Sequence, residues 1–315
     1  MPGPRARRPP AGERGFALVA VLLVLALLGV IGAEFAYSMR LESASVRALK
    51  DGITAGLLAE AGFEQAVREI VADSAYVGLR EDGQLTFYGR DQQPRPRLPR
   101  DRVPLGPGQF SYRLTDEEAR LNVNTSPPDR IDRLLLALGI DKRVRDVIGD
   151  SIQDWRDANE EHRLNGAESE DYYLKLPVPY RSANRNLESV RELLQIRGVT
   201  AAIFHGAEGK PGLGDLVTVK TSGQMNINTA SEPVLHALGL SDAEISEILQ
   251  ARRDTPYPNT GRFGGRGLNA STRTFRVEAQ GLIDGRPRAR LSAVVQRTIA
   301  GGGRGVAVVE WSGPQ

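Results

Sequence analysis

The most strongly patterned stretch lies near the start of the chain. Phe16 to Ala33 reads FALVAVLLVLALLGVIGA, 18 residues without a charged or strongly polar side chain. At ~1.5 Å per helical residue it spans roughly 27 Å, close to the ~30 Å hydrocarbon core of a bilayer. From Glu34 to about Ala72 there is no proline, and Ala, Leu, Arg and Glu, all good helix formers, predominate. Val46, Leu49, Ile53 and Leu57 recur at three- and four-residue steps, which predicts an apolar stripe packed on the protein's own sheet. Phe16 to Ala72 therefore reads as one helix of roughly 85 Å, with Gly52 and Gly56 as softer points.

Further on, Ala75 to Pro107 is rich in proline and arginine (RDQQPRPRLPRDR) and reads as an exposed connection with a short strand at Leu85–Tyr88. Gln109 to Leu114 (QFSYRL) alternates and predicts a strand. Thr274–Gly281 (TFRVEAQG) and Ala289–Thr298 (ARLSAVVQRT) are strand-like and meet around Asp284-Gly285, a hairpin signal. The residues between these two strand regions look mostly helical. The expected fold class is α+β, with a long N-terminal helix on an antiparallel sheet. Residues 34–115 and 271–300 would form the sheet domain, 116–270 an inserted helical domain, and 301–315 a flexible tail.

The insertion carries an internal repeat. LNVNT at 121–125 and MNINT at 225–229 are each followed by a short helix closing on a similar turn, LALGI at 136–140 and HALGL at 236–240, and then by a charged helix. Asn-Thr before a helix is capping chemistry, with Thr125 and Thr229, or Ser126 and Ser231, expected to accept bonds from free backbone N–H groups. The repeat resembles the helix-hairpin-helix family, some of whose members hold DNA phosphate on the hairpin's N–H groups. Charge argues against that use. Residues 121–215 hold 13 Lys and Arg against 16 Asp and Glu, and 216–270 hold 5 of each. A phosphate-binding surface should be basic, so a structural or interaction role is expected.

Composition removes several other chemistries. There is no cysteine, hence no disulfide, thiol nucleophile, Cys-based zinc site or iron–sulfur cluster. The 3 histidines stand apart in sequence, and a net charge of +2 gives no global basic field. No GxSxG, HExxH or P-loop is present, and Lys210 is followed by Pro211, so no enzyme is expected. One acidic loop stands out. DWRDANEEHRLNGAESED, Asp154 to Asp171, holds seven acids against Arg156 and Arg163. Asp157, Asn159, Glu161, Asn165 and Glu168 occupy positions 1, 3, 5, 9 and 12 of a twelve-residue window, the oxygen-ligand spacing of a calcium-binding EF-hand. The sixth position, normally Gly, is His162. The competing reading is a solvated acidic loop.

The leader sharpens the reading of the apolar segment. Arg5, Arg7, Arg8 and Arg14 against Glu13 keep the N-terminus cytoplasmic and send the bulk across the membrane. A cleaved secretory signal would need small residues where Ile31 or Glu34 stands. A plain signal anchor explains the hydrophobicity alone. The junction Arg14-Gly15-Phe16 resembles the type IV prepilin class, in which a membrane peptidase cuts after Gly. That resemblance implies a leader over 1–15, cleavage between Gly15 and Phe16, N-methylation of Phe16 and a retained transmembrane helix over 16–33. Most pilins have Glu at the fifth mature position, where this chain has Ala20. A buried carboxylate is costly unless paired, and a subunit with none above it needs no such Glu, so Ala20 marks a tip position.

Taken together, RGFALVAVLLVLALL, DEEARLNVNT at 116–125, DW-x-DAN at 154–159, the 165–200 block, MNINTASEPVLHALGL at 225–240 and FRVEAQG at 275–281 resemble the K-type minor pseudopilins of type II secretion. The resemblance implies a type IV pilin-like fold with a bulky helical insertion carrying two helix-hairpin-helix-like repeats. It further implies a single-pass protein of the bacterial inner membrane with its bulk in the periplasm, placed at the tip of the pseudopilus. Implied partners are the I- and J-type minor pseudopilins, the major pseudopilin, the inner-membrane secretion platform and the prepilin peptidase, with no nucleic acid; structural calcium in the insertion is also implied. The alternative is a membrane-anchored DNA-uptake protein using the helical hairpins.

Overall fold

The computed structural model describes residues 13–80, 82–300 and 303–315. Most of the leader expected over 1–15 therefore lies outside the described residues. The chain divides into two units, one ending at Thr54 and one running Ala55–Gln315. Helix α1, Glu13–Val71, is continuous. Its N-terminal part is apolar and long enough to cross a membrane, and the side chains from Phe16 to Ile31 are exposed.

Within the second unit, the end of α1 lies on a sheet. The buried face is Ala55, Leu58, Ala59, Phe63, Ala66 and Ile70, four- and three-residue steps of small and large side chains. The expected stripe is corrected here, because Leu57 is 63% exposed. Small residues win the contact because helix and strand backbones nearly touch. A Cβ on Gly281 would run into the carbonyl oxygen of Ala55.

After α1 come β1 (Tyr76–Leu79) and β2 (Leu85–Tyr88), a separate antiparallel hairpin. Next are β3 (Val103–Leu105) and β4 (Gly108–Asp116). The proline-rich connection before β3 is pinned rather than loose. Glu69 of α1 accepts from Leu98 N–H (2.9 Å), Arg100 Nε (3.0 Å) and Tyr112 O–H (3.0 Å). Burial and the Glu69 charge push the Tyr112 phenol up to about 12.

The excursion that follows contains β5 (Leu121–Asn122), α2 (Pro128–Ala137), α3 (Lys142–Arg156), α4 (Ala201–His205), α5 (Leu213–Leu216) and β6 (Val217–Thr218). It continues through β7 (Met225–Asn226), α6 (Glu232–Ala237), α7 (Asp242–Asp254) and β8 (Leu268–Asn269). The chain then closes with β9 (Thr274–Ile283), β10 (Arg286–Ala300) and β11 (Gly303–Ser312). The five-stranded sheet has the order β11-β10-β9-β4-β3, every pair antiparallel. Asp116 at the end of β4 stands opposite Phe275 near the start of β9. The insertion thus leaves and returns between neighbouring strands, and has its own core around Trp155, Tyr173, Leu134, Leu235 and Ile248.

Two boundaries move. The insertion occupies 117–273, where 116–270 was expected. The tail expected over 301–315 is largely strand β11. Trp311 packs edge-on against Phe63 with ring centroids 5.0 Å apart, and Gln315 exchanges both peptide hydrogen bonds with Arg290.

The inserted helical domain as the candidate functional site

The two NxNT segments build two equivalent units. In the first, β5 pairs in parallel with β6; in the second, β7 pairs in parallel with β8. Asn122 Oδ1 accepts from Asn124 N–H (2.8 Å), and Asn226 Oδ1 accepts from Asn228 N–H (3.0 Å). The second Asn of each motif works like a short piece of strand. Asn124 bonds both peptide groups of Leu187 (2.8 and 2.9 Å), and Asn228 both those of Tyr257 (3.1 and 2.6 Å). An arginine at the end of each second helix returns to the motif's carbonyls. Arg156 donates to Val123 O, and Arg252 to Ile227 O (2.9 Å) and Ala230 O (2.8 Å). Burial pulls the Arg252 guanidinium down to about 10. Each helical pair turns on a glycine in the left-handed region, Gly139 (φ +76°) and Gly239 (φ +77°), which only glycine adopts without strain.

The capping expectation is corrected. Pro127 caps α2 with no side-chain bond, and Ser231 caps α6 likewise. Pro128 and Pro233, in the first turns of α2 and α6, remove an N–H that would otherwise need an acceptor, and the Thr229 hydroxyl is committed to Asp116 (2.6 Å). Side-chain caps occur instead on the second helices, from Asp141 on α3 and Ser241 on α7.

Three consecutive acids, whose linking role the sequence reading missed, join sheet to insertion. Asp116 is buried and accepts from Asn226 Nδ2 (2.8 Å), Thr229 Oγ1 (2.6 Å), Thr272 Oγ1 (2.6 Å) and Glu118 N–H (2.9 Å). Glu117 accepts from Thr218 Oγ1 (2.7 Å) and from Nε (3.0 Å) and Nη2 (2.9 Å) of Arg276. Glu118 accepts from Arg273 N–H (3.0 Å) and Thr274 Oγ1 (3.2 Å). Burial pushes the Asp116 and Glu118 carboxyls up. Burial acts on Glu117 too, but the Arg276 hydrogen bonds and the charges of Arg120 and Arg276 outweigh it and hold its carboxyl below the ordinary value. The signal in sequence was three adjacent acids at the end of a strand.

The acidic loop keeps only part of its expected grouping. Arg163 bonds Asp154 Oδ1 (2.6 Å) and Asp157 Oδ2 (2.7 Å). Asn159 sits on Asp157 (2.9 Å), and Glu161 contributes its backbone N–H to Asn159 Oδ1 (2.8 Å). Asn165 departs from the expected set and binds Asp150 on α3 (3.0 Å). Glu168 is buried; Ser182 donates to its Oε2 (2.7 Å), while its Oε1 has no partner. Asn184 donates to Glu160 (3.0 Å), while its own Oδ1 is also buried without a partner. Burial, with the charges of Asp154, Glu160 and Asp157, raises the Glu168 carboxyl against the Ser182 bond. Among the described residues, no three His, Cys, Asp or Glu side chains already surround one point as a metal centre. Glu168 Oε1 and Asn184 Oδ1 are nonetheless orphaned buried acceptors, the kind of group that an oxygen-seeking cation satisfies.

Most of the turn amides that a phosphate would need are already used within the hairpins. At the first turn, Leu138, Gly139 and Ile140 N–H donate to Leu134, Leu136 and Leu135 carbonyls; at the second, Leu238 and Gly239 do the same to Leu235 and His236. The cleft beside the second turn also carries Glu232 and Glu244. Phe16 and Ala20, for their part, lie on α1 with exposed side chains, and Gly15 is on the same helix.

A continuous helix whose first part is long and apolar enough to cross a membrane, a sheet and a helical domain grown between two adjacent strands define an α+β subunit. Residues 112–208 and 225–278 match the family described as type II secretion system (T2SS), protein K. The chain is 30% identical over 258 residues to the type II secretion system protein K of Pectobacterium carotovorum subsp. carotovorum, covering 75% of this chain and 73% of that one. It is 28% identical over 259 residues to the protein K of Pseudomonas aeruginosa, covering 76% and 73%. Its fold is similar to that in the crystal structure of the GspK-GspI-GspJ complex from the enterotoxigenic Escherichia coli type 2 secretion system. The TM-score is 0.57 at 19% identity, covering 87% of this chain and 98% of the other. The chain belongs to the type II secretion system protein K family and is a minor pseudopilin; the DNA-uptake alternative finds no support in the hairpins or the relatives.

Proposed function

We propose that the chain caps the pseudopilus as its tip subunit, anchored in the bacterial inner membrane with its bulk in the periplasm, where the filament drives export of folded proteins across the outer membrane. The observation that carries this is the placement of the insertion. A helical domain of 117–273 between two adjacent strands adds bulk to a pilin-like sheet, which suits the end of a stack and not its interior. The solved relative is a GspK-GspI-GspJ complex, which supports the I- and J-type minor pseudopilins as partners. The major pseudopilin, the secretion platform and the prepilin peptidase belong to the same reading. The paired hairpins are helix-hairpin-helix-like and act as a scaffold, since most of their turn amides are already bonded.

In this reading the peptidase cuts between Gly15 and Phe16, Phe16 becomes the N-methylated first residue, and Ala20 needs no partner above it. Gly15→Leu should leave the leader attached, seen as slower gel migration and loss of secretion. Normal migration and secretion would overturn the reading. Calcium belongs to it as a structural ion. Glu168 and Asn184 would hold it through their free oxygens, with Asp157 and Glu160 nearby. Asn159 and Glu161 remain loop neighbours, and Asn165 serves Asp150 instead. The ion would supply positive charge to a carboxylate cluster that otherwise relies on Arg163.

A further inference from the structure

The two edges of the five-stranded sheet are built differently. The β3 edge is three residues long and contains Pro104, which has no N–H to offer. The β11 edge is ten residues long, GRGVAVVEWS, and holds no proline or lysine. Natural sheets usually guard such an edge with charge, proline or cover. Here the two charged side chains of β11 are engaged within the chain itself. Arg304 pairs with Asp73 (2.7 Å) and Glu310 with Lys220 (3.8 Å). Val308 and Trp311 remain about half exposed.

The register shows which backbone groups are free. The Arg297 N–H is donated to the Arg273 carbonyl (2.7 Å), towards β9. Arg297 stands opposite Val306, so that pair exchanges no bonds, and the N–H and C=O of Val306 point away from β10. By the period of two, Arg304 and Val308 do the same. Their side chains share the α1 face of the sheet, as does Trp311 beyond the bulge at Val309. Free ladder groups and an apolar, charge-satisfied rim occur together on one edge.

We infer that this edge receives an extended, uncharged strand rich in β-branched residues from another pilin-like subunit, which adds a sixth strand to the sheet. The inference rests on the reading of the chain as a minor pseudopilin that assembles with others. An uncharged strand fits because β11 has no unpaired charge to match, and a pilin-like subunit fits because its helix can cover the open sides of Val308 and Trp311 as Phe63 of α1 packs on Trp311.

The test uses the full chain in detergent, co-expressed with the I- and J-type minor pseudopilins of its own secretion system. Val308→Pro removes an N–H that bonds nothing within the sheet, and Val308→Lys adds an edge charge. Both should lower co-purified partner about tenfold or more, equivalent to ~1.4 kcal/mol, with thermal midpoints near wild type. Hydrogen exchange on the wild-type complex should show the Arg304, Val306 and Val308 amides slowed about tenfold by the partner. Unchanged co-purification by the folded variants, unslowed amides in the complex, or protection arising from a second copy of this chain would each overturn the inference. Failure of the wild type to bring down either partner would instead overturn the assembly reading.

Discussion

Asp116, Glu117 and Glu118 show how three like side chains can carry different loads. All three are buried, and each holds a different segment of the insertion or the strand leading out of it. Glu117 alone faces guanidinium groups, and its carboxyl is held below the ordinary value of 4.5. A depressed folded-state pKa contributes stability above the unfolded value, lost as pH falls through the folded one. Asp116 and Glu118 have the opposite sign, since burial raises their carboxyls and their ionisation penalty is relieved as pH falls. Glu117→Gln should therefore cost about 3 kcal/mol at pH 7. The gap from wild type should narrow below about pH 4.5, as denaturant titrations at several pH values would read. A gap independent of pH would show that the pair is not ionised in the folded protein.

At the scale of elements, close approach and backbone hand are separable. Gly281 lies where a Cβ would meet the Ala55 carbonyl oxygen, whereas Gly139 faces open space and is constrained only by its φ of +76°. Gly281→Ala should cost about 1–3 kcal/mol by pushing α1 off the sheet, and Gly139→Ala about 1 kcal/mol from backbone strain alone. Equal losses in denaturant melts would contradict this assignment. The elements legible in sequence were those with a sustained period. Helix α1, strands β4, β9 and β10, and both NxNT units follow from steps of 3.6, steps of 2, or repetition. Strands β1 and β3 are short and lie among Gly and Pro, so no period develops. Strand β11 begins within GGGRG and resembles a tail in sequence; what makes it a strand is its pairing with β10 and the packing of Trp311 on Phe63, distant in sequence. The candidate loop was legible as an acidic run, but its ligand order was not, because Asp150 and Asn184 lie outside the run and Arg163 inside it takes two carboxylates.

For the whole molecule, a chain without cysteine is held by packing and polar pins, to which the proposed ion would add. Calcium bound at 100 times its dissociation constant would contribute about 2.7 kcal/mol, roughly 4 °C in a chain of this size. EGTA should lower the midpoint by that order, and Glu168→Gln should abolish the difference. A midpoint indifferent to EGTA would remove structural calcium. The pseudopilus reading does not depend on that outcome, since it rests on the fold and the family.

The neighbouring of β4 and β9 also has a consequence in time. Asp116 and Phe275 meet across 159 positions, and closing an unstructured loop of that length costs roughly 4–5 kcal/mol in chain entropy. Such a pairing forms slowly if the loop is disordered. The insertion removes that cost when it folds first, because its own strand pairs and the acid turn bring the two ends of the sheet together. The inserted domain would then serve as an internal folding template, completing its own core before the sheet beneath it can zip.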